Sequence, residues 1–297
     1  MITLNELSQM KTDDQDFIRN LVIDNYPLPF APGQLTLLGA YTGMGRTRFM
    51  LHLFAGLFGK YAQPVLFVSN EEKEQQLYRK MASLLAGQYF NHDNDVPDEL
   101  VAQHKVLSSD KCKMLWFDNN WEKLKAELVQ WGKENRSGFL FIDKIQGLYI
   151  KTDYKNRNSE LRIIIRELKQ WAAEYQISVI VSSSIKMGNF FHYSLSSPFS
   201  KLLNGSVWED FADLIMFLQR PTVYGITEDE EGNNIRCLSY LYVAKNQSGP
   251  TQTLNMYFDE NNPGFRTYNK LERLRMSNPA LGALVNHFGL VDKDSPF

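Results

Sequence analysis

Cysteine is scarce in this sequence, and the scarcity excludes several classes of protein at once. Cys112 and Cys237 stand far apart in 297 residues with no C-x-x-C spacing, which fits a reducing cytosol and leaves no thiolate metal cluster. No apolar run approaches the length that crosses a bilayer, and no basic-then-apolar start marks a secretory signal. The expectation is a soluble, cytoplasmic protein with no membrane partner. An excess of one charge is also missing. With 32 Lys+Arg against 34 Asp+Glu, no overall basic field announces nucleic acid, and any such contact has to come from local patches. Internal repeats and low-complexity segments are absent. What remains, at 43% hydrophobic residues, is enough for the core of one large α/β domain with small appendages.

The organising stretch runs from Gln34 through Thr47 into Arg48-Phe49-Met50-Leu51. An apolar run of strand length breaks into a loop containing Gly39, Gly43 and Gly45, and the loop opens a helix. That is the layout of a phosphate-binding loop, in which successive backbone N–H groups surround a polyphosphate and the helix adds the positive end of its dipole. Two positions depart from G-x-x-x-x-G-K-[ST]: Ala40 stands at the first glycine and Arg46 at the lysine. The alternative is a glycine-rich turn that binds nothing.

In chain order, residues 1–33 are a lead-in with a helix expected over Asp13–Val22, residues 34–267 form the core, and residues 268–297 are a tail. Strand and helix alternate through the core. Strands are expected at Val65–Ser69, Lys113–Phe117, Gly138–Asp143 and Ile177–Ser183, with helices at Glu72–Ala86, Trp121–Glu134 and Ser159–Tyr175. Continuous apolar strands between amphipathic helices predict a mostly parallel sheet covered on both faces. Three later runs, Asp213–Gln219, Leu238–Ala244 and Thr253–Phe258, read as further strands. The last pair is antiparallel about the turn Lys245-Asn246-Gln247-Ser248-Gly249-Pro250.

Chemistry in such a sheet sits beyond the carboxyl ends of the strands. Three of those ends are polar: Asn70-Glu71-Glu72, Asp143 and Ser184. Asp143 after four apolar residues has the form of a Walker B carboxylate, which would hold Mg²⁺ together with the Thr47 hydroxyl. Glu71 is then the candidate to deprotonate an attacking water. For Asp143 alone, the other reading is the cap of the next helix.

From Gly33 to about Arg266 these motifs resemble, in order and spacing, the RecA-type ATPase domain of DnaB-like replicative helicases. The loop Ala40-Tyr41-Thr42-Gly43-Met44-Gly45-Arg46-Thr47 resembles that family's variant, which also begins with alanine and has Met-Gly before the lysine. Ser69-Asn70-Glu71 resembles its Ser-Leu-Glu, and Ile142-Asp143-Lys144-Ile145-Gln146 its Ile-Asp-Tyr-Leu-Gln. Glu209-Asp210-Phe211-Ala212-Asp213 and Lys245-Asn246-Gln247-Ser248-Gly249-Pro250-Thr251 resemble its Glu-x-Asp-Ala-Asp segment and Lys-x-Arg-x-Gly-Pro-Thr hairpin. The resemblance implies an α/β fold with a RecA-like P-loop NTPase core and a C-terminal antiparallel hairpin. It also implies ATP and Mg²⁺ as cofactors, with single-stranded DNA and further copies of the chain, as in a hexameric ring, as partners. The residues implied are Ala40 to Thr47 for nucleotide, Thr47 and Asp143 for metal, and Glu71, Arg46 and Lys245 for catalysis.

The departures carry as much information. Arg46 replaces the loop lysine, Ser184 the glutamine that senses the γ-phosphate in the family, and Gln247 the arginine that a neighbouring subunit supplies. The family's N-terminal collar domain has no counterpart in the thirty or so residues before the core. By family position, two loops would touch DNA: Lys151 to Asn158, with Lys151, Lys155 and Arg157, and Lys186 to Tyr193, with Lys186. Each pairs cations with aromatics, which suits phosphate contact plus base stacking, and each also reads as a polar surface loop. Three functions follow: an active DNA-stimulated motor, a nucleotide-binding assembly or loader-like protein with little hydrolysis, and a recombinase-like or structural RecA-fold protein.

Overall fold

The computed structural model describes residues 20–23, 26–92, 95–151, 156–185, 205–230, 232–258, 260 and 263–267. Within them the apolar runs become strands sorted by parity. In β3 (Leu35–Ala40), Leu38 and Ala40 face one hydrophobic cluster while Leu35 and Leu37 face another. The same alternation divides β4 (Val65–Ser69), β6 (Phe139–Asp143), β7 (Ser178–Ser184) and β8 (Leu214–Gln219). A strand buried on both faces needs apolar residues at every position, which is why these runs are continuous.

Helices α1 (Arg46–Tyr61), α2 (Glu74–Ala86), α3 (Asp98–Gln103) and α4 (Lys105–Ser108) follow β3 and β4. Then come β5 (Cys112–Trp116), α5 (Trp121–Glu134), α6 (Arg157–Tyr175) and α7 (Gly205–Phe211). Side chains of α1 and α2 fill the first cluster, and those of α5, α6 and α7 fill the second. The chain closes with β9 (Leu238–Asn246), β10 (Gln252–Phe258) and β11 (Phe265–Thr267).

The nine-stranded sheet has the order β11-β10-β9-β8-β3-β7-β6-β4-β5. From β5 to β8 all neighbours are parallel, and β9, β10 and β11 extend the sheet antiparallel. The phosphate-loop strand β3 lies between β7 and β8, which brings the ends of the parallel strands together on one side. Asp213 anchors the start of β3: its Oδ2 accepts from Leu35 N at 2.7 Å and from Lys169 Nζ at 2.5 Å, while the same ammonium reaches Gly33 O at 3.1 Å.

The described part of the expected Asp13–Val22 helix is instead a strand. β1 (Asn20–Ile23) pairs antiparallel with β2 (Tyr26–Pro29), and the remainder of that stretch, like the tail from residue 268, lies outside the described residues. Leu28 and Phe30 are fully buried in the first cluster, so β2 is held on the core and offers β1 its pairing partner. Tyr26 donates its hydroxyl to Pro250 O and accepts from Asn246 Nδ2 at 2.7 Å, and Gln34 Nε2 donates to Ser248 Oγ at 3.2 Å. The turn between β9 and β10 is thereby stapled to the lead-in.

Candidate functional site

Ala40 ends β3, and the loop turns into α1 through Gly43 at φ 86° and Gly45 at φ 84°. Both lie in the left-handed region, which explains glycine at these two positions. Met44, fully buried between them, anchors the loop, and its sulfur accepts from Arg220 N at 3.1 Å. The first turn of α1 holds no acidic residue, so the positive end of the helix is left for an anion.

Three neighbouring strand ends deliver side chains over this loop. Asp143, with no exposed surface, accepts from Thr47 Oγ1 at 2.6 Å and from the Ser182 hydroxyl. Glu71 follows β4 on a turn whose N–H groups donate to Ser69 Oγ, at 3.2 Å from Glu71 and 3.0 Å from Glu72. Asn70 clasps the adjoining turn. Its Nδ2 donates to Lys144 O at 2.8 Å and its Oδ1 accepts from Lys144 N at 3.0 Å. Gly147 lies against this clasp so closely that a Cβ there would come within 2.1 Å of Asn70 Nδ2.

Arg46 joins all three ends. Its Nε lies 3.4 Å from Asp143 Oδ1, its Nη2 3.3 Å from Glu71 Oε2, and its Nη1 donates to Ser184 Oγ at 2.8 Å. Lys144 Nζ pairs with the other Glu71 oxygen at 2.5 Å, so two cations balance two carboxylates. Thr47 and Asp143 offer the hard oxygen donors that Mg²⁺ prefers, and Mg²⁺ on a nucleotide needs few protein ligands because phosphate and water complete its shell. This donor set fits the ion. Among the described residues, no group of three or more His, Cys, Asp or Glu side chains could hold a metal by itself.

Beside Glu71 opens a cleft of about 380 Å³ whose lining includes Arg48, Glu72, Arg79, Lys80 and Tyr89. Arg48 donates to Tyr89 Oη at 2.8 Å, and Lys80 pairs with Glu72.

The family model described as DnaB-like helicase C terminal domain matches residues 21–267. The chain belongs to that family. Among similar relatives, a probable replicative DNA helicase of Trieres chinensis is 26% identical over 260 residues, covering 83% of this chain and 56% of the relative. A replicative DNA helicase DnaB of Buchnera aphidicola is 24% identical, with 84% and 54% covered. The chain therefore spans a little over half the length of the curated relatives it matches. The fold resembles a DnaB-like replicative helicase solved for its interactions with primase, with TM-score 0.64 and 20% identity over 81% of this chain and 58% of that one. It also resembles a KaiC-like protein from the archaeon Pyrococcus horikoshii, with TM-score 0.56 and 17% identity over 85% and 100%. The RecA-like P-loop core of a DnaB-like helicase domain is thus the architecture of this chain.

Within this helicase-domain fold the remaining expected site residues are dispersed. Lys245 donates to Glu209 O at 2.7 Å, and Gln247 is exposed on the turn after β9. Lys151 is exposed. Arg157 points its guanidinium at protein groups, donating to Glu160, to Gln146 O at 2.8 Å and to Leu148 O at 2.5 Å. Lys155 and Lys186 lie outside the described residues. Arg220 is a site residue that the sequence reading misses. Its Nη1 donates to Gly43 O at 3.4 Å, its Nη2 pairs with Glu260 at 3.0 Å, and its guanidinium carbon lies 3.8 Å from the Phe258 ring centroid. Burial lowers this guanidinium from its usual range, opposed by Glu260. Its position at the carboxyl end of the parallel strand β8 was the available signal.

Proposed function

We propose that the chain binds Mg-ATP at the loop Ala40–Thr47 as the motor core of a helicase acting on single-stranded DNA in the cytoplasm. Copies associate head to tail, as in a ring. The observation that carries the reading is the convergence of Thr47, Asp143 and Glu71, from three separate parts of the chain, on one loop with an open helix N-terminus. Thr47 and Asp143 would hold Mg²⁺, and the bound ion would supply charge neutralisation for the phosphates. Glu71 would orient and deprotonate the attacking water, with Lys144 holding its carboxylate, and the cleft lined by Arg48 and Tyr89 would take the rest of the nucleotide.

Hydrolysis is slow in this reading. The backbone cradle, Thr47 and Asp143 act on bound nucleotide, whereas Arg46 and Gln247 stand where the family places groups that act on charge developing in the transition state. A trans-acting arginine supplies about 10³ to 10⁵ in rate where it operates, and Gln247 is neutral. The same observation favours a second reading, a nucleotide-binding assembly or loader-like protein without significant hydrolysis.

The test is calorimetric binding of Mg-ATP beside turnover with and without single-stranded DNA. Measurable binding with turnover well below the ~1 to 10³ s⁻¹ of working enzymes is expected. Turnover within that range replaces slow hydrolysis with an active motor, and no binding at millimolar nucleotide removes both readings.

A further inference from the structure

We propose that Lys144 is a positioning residue that restrains Glu71, holding its carboxylate in the charged resting form and so slowing the transfer of a proton to it. This rests on the reading of Glu71 as the group that deprotonates water at a Mg-nucleotide site. The arrangement begins at two neighbouring strand ends. Ser69 and Asp143 are partners in the β4–β6 ladder, and Asn70 N donates to Asp143 O at 3.0 Å. The Asn70 side chain then engages both the N–H and the C=O of Lys144, at 3.0 and 2.8 Å, which fuses the two turns into one. On that fused base the side chains meet: Lys144 Nζ lies 2.5 Å from Glu71 Oε1, while Arg46 Nη2 lies 3.3 Å from Oε2. Each oxygen of the base faces a cation. Leucine and tyrosine stand at positions 70 and 144 in the motifs that these turns resemble, and their side chains supply neither the amide of the clasp nor the cation.

An ion pair acts on a rate only where it differs between the ground state and the transition state. This pair does. In hydrolysis the water oxygen bonds to the γ-phosphorus, the bond from that phosphorus to the departing ADP oxygen breaks, and the proton released by the water passes to Glu71. The carboxylate loses its charge as it takes the proton, so the attraction of Lys144 is present in the ground state and fades toward the transition state. Nucleotide binding leaves Glu71 charged and the pair intact, so affinity is untouched. Arg46 exerts a similar pull but belongs to the phosphate loop, whereas Lys144 acts on Glu71 from outside that loop. With the side chains 28% and 38% exposed, solvent screens the pair, and the restraint amounts to about two- to fivefold in rate.

The test measures single-turnover hydrolysis of Mg-ATP, and Kd for a non-hydrolysable Mg-ATP analogue, in wild type, Lys144→Met, Lys144→Arg, Glu71→Gln and the double variant Glu71→Gln with Lys144→Met. The clasp uses the Lys144 backbone, so replacing the side chain should leave the turn in place, which thermal melts check. Lys144→Met should raise turnover about two- to fivefold with Kd within about twofold of wild type. Lys144→Arg should keep the wild-type rate, and in the Glu71→Gln background Lys144→Met should change nothing. A rate that is unchanged or lower in Lys144→Met, or an acceleration that persists without the Glu71 charge, overturns the restraint. Should Lys144→Met melt below the assay temperature, Lys144→Gln carries the same prediction. Wild type that binds the analogue but turns over no faster than Glu71→Gln removes Glu71 as the base, and the restraint with it, while the nucleotide site stands. Wild type that does not bind the analogue removes both.

Discussion

Replacing Asp213 by alanine tests how the sheet holds the strand that leads into the phosphate loop. Asp213 is 8% exposed, and its Oδ2 serves both the Leu35 N–H and the Lys169 ammonium. Truncation leaves a buried backbone N–H without its acceptor, a loss of ~1 to 3 kcal/mol. The ion pair adds about 1 kcal/mol or less, because the Lys169 side chain is 28% exposed, keeps Gly33 O and turns partly to water. The sum is roughly 1 to 4 kcal/mol, which at about 2 to 4 °C per kcal/mol lowers Tm by roughly 2 to 16 °C. Asp213→Asn keeps an acceptor for Leu35 and loses the charge, so it should cost about 1 kcal/mol. Urea and thermal unfolding of both variants decide the matter. If alanine and asparagine cost the same, or alanine costs under about 1 kcal/mol, the backbone contact is not what holds β3.

Gly147→Ala should destabilise by about 1 to 3 kcal/mol and slow ATP turnover, because the added Cβ pushes on the Asn70 clasp before Glu71. Adding Asn70→Ala should restore part of the stability and none of the turnover, as thermal melts and phosphate release would record. Burial pushes His52 down from 6.5 to about 4. The unfolded chain therefore binds the extra proton between those values, and stability that is complete above pH 6.5 falls by about 3 kcal/mol as pH drops to about 4. Urea midpoints against pH should show that loss largely removed in His52→Leu. Gln247→Arg should raise ATP turnover about tenfold or more while leaving nucleotide affinity within about twofold, since Gln247 lies on an exposed turn away from its own loop; equal changes in both quantities would refute a role across a subunit boundary.

Much of the fold was legible because strands buried on both faces and amphipathic helices write different periods. The runs at Val65, Phe139 and Ser178, and the helices ending at Ala86, Glu134 and Tyr175, lie where periodicity puts them. Strand β1 was not legible, since four residues without a period take their conformation from a partner strand. The strand β11 was missed for the same reason, and the short helices α3 and α4 because six and four residues are too few to write a helical period. In the site, Glu71 and Asp143 were readable as polar residues at strand ends, and Thr47 as the hydroxyl that closes the phosphate-loop pattern. The triple reach of Arg46 was not, because it depends on which strands are neighbours, and sheet order is invisible to local pattern. Arg157 reads in sequence as a loop cation for DNA, yet the carbonyls of Gln146 and Leu148 engage its guanidinium.

The staple between the lead-in and the β9–β10 turn has a mechanical meaning. Tyr26 and Gln34 belong to the path into the phosphate-loop strand, while Asn246, Ser248 and Pro250 flank Gln247. A pull applied upstream of residue 26 reaches the hairpin through two short cross-links before it reaches the loop by way of the backbone. The segment entering the core and the turn that carries Gln247 and Lys245 are thus tied to each other beside the head of β3, so a displacement of one is expected to be passed to the other.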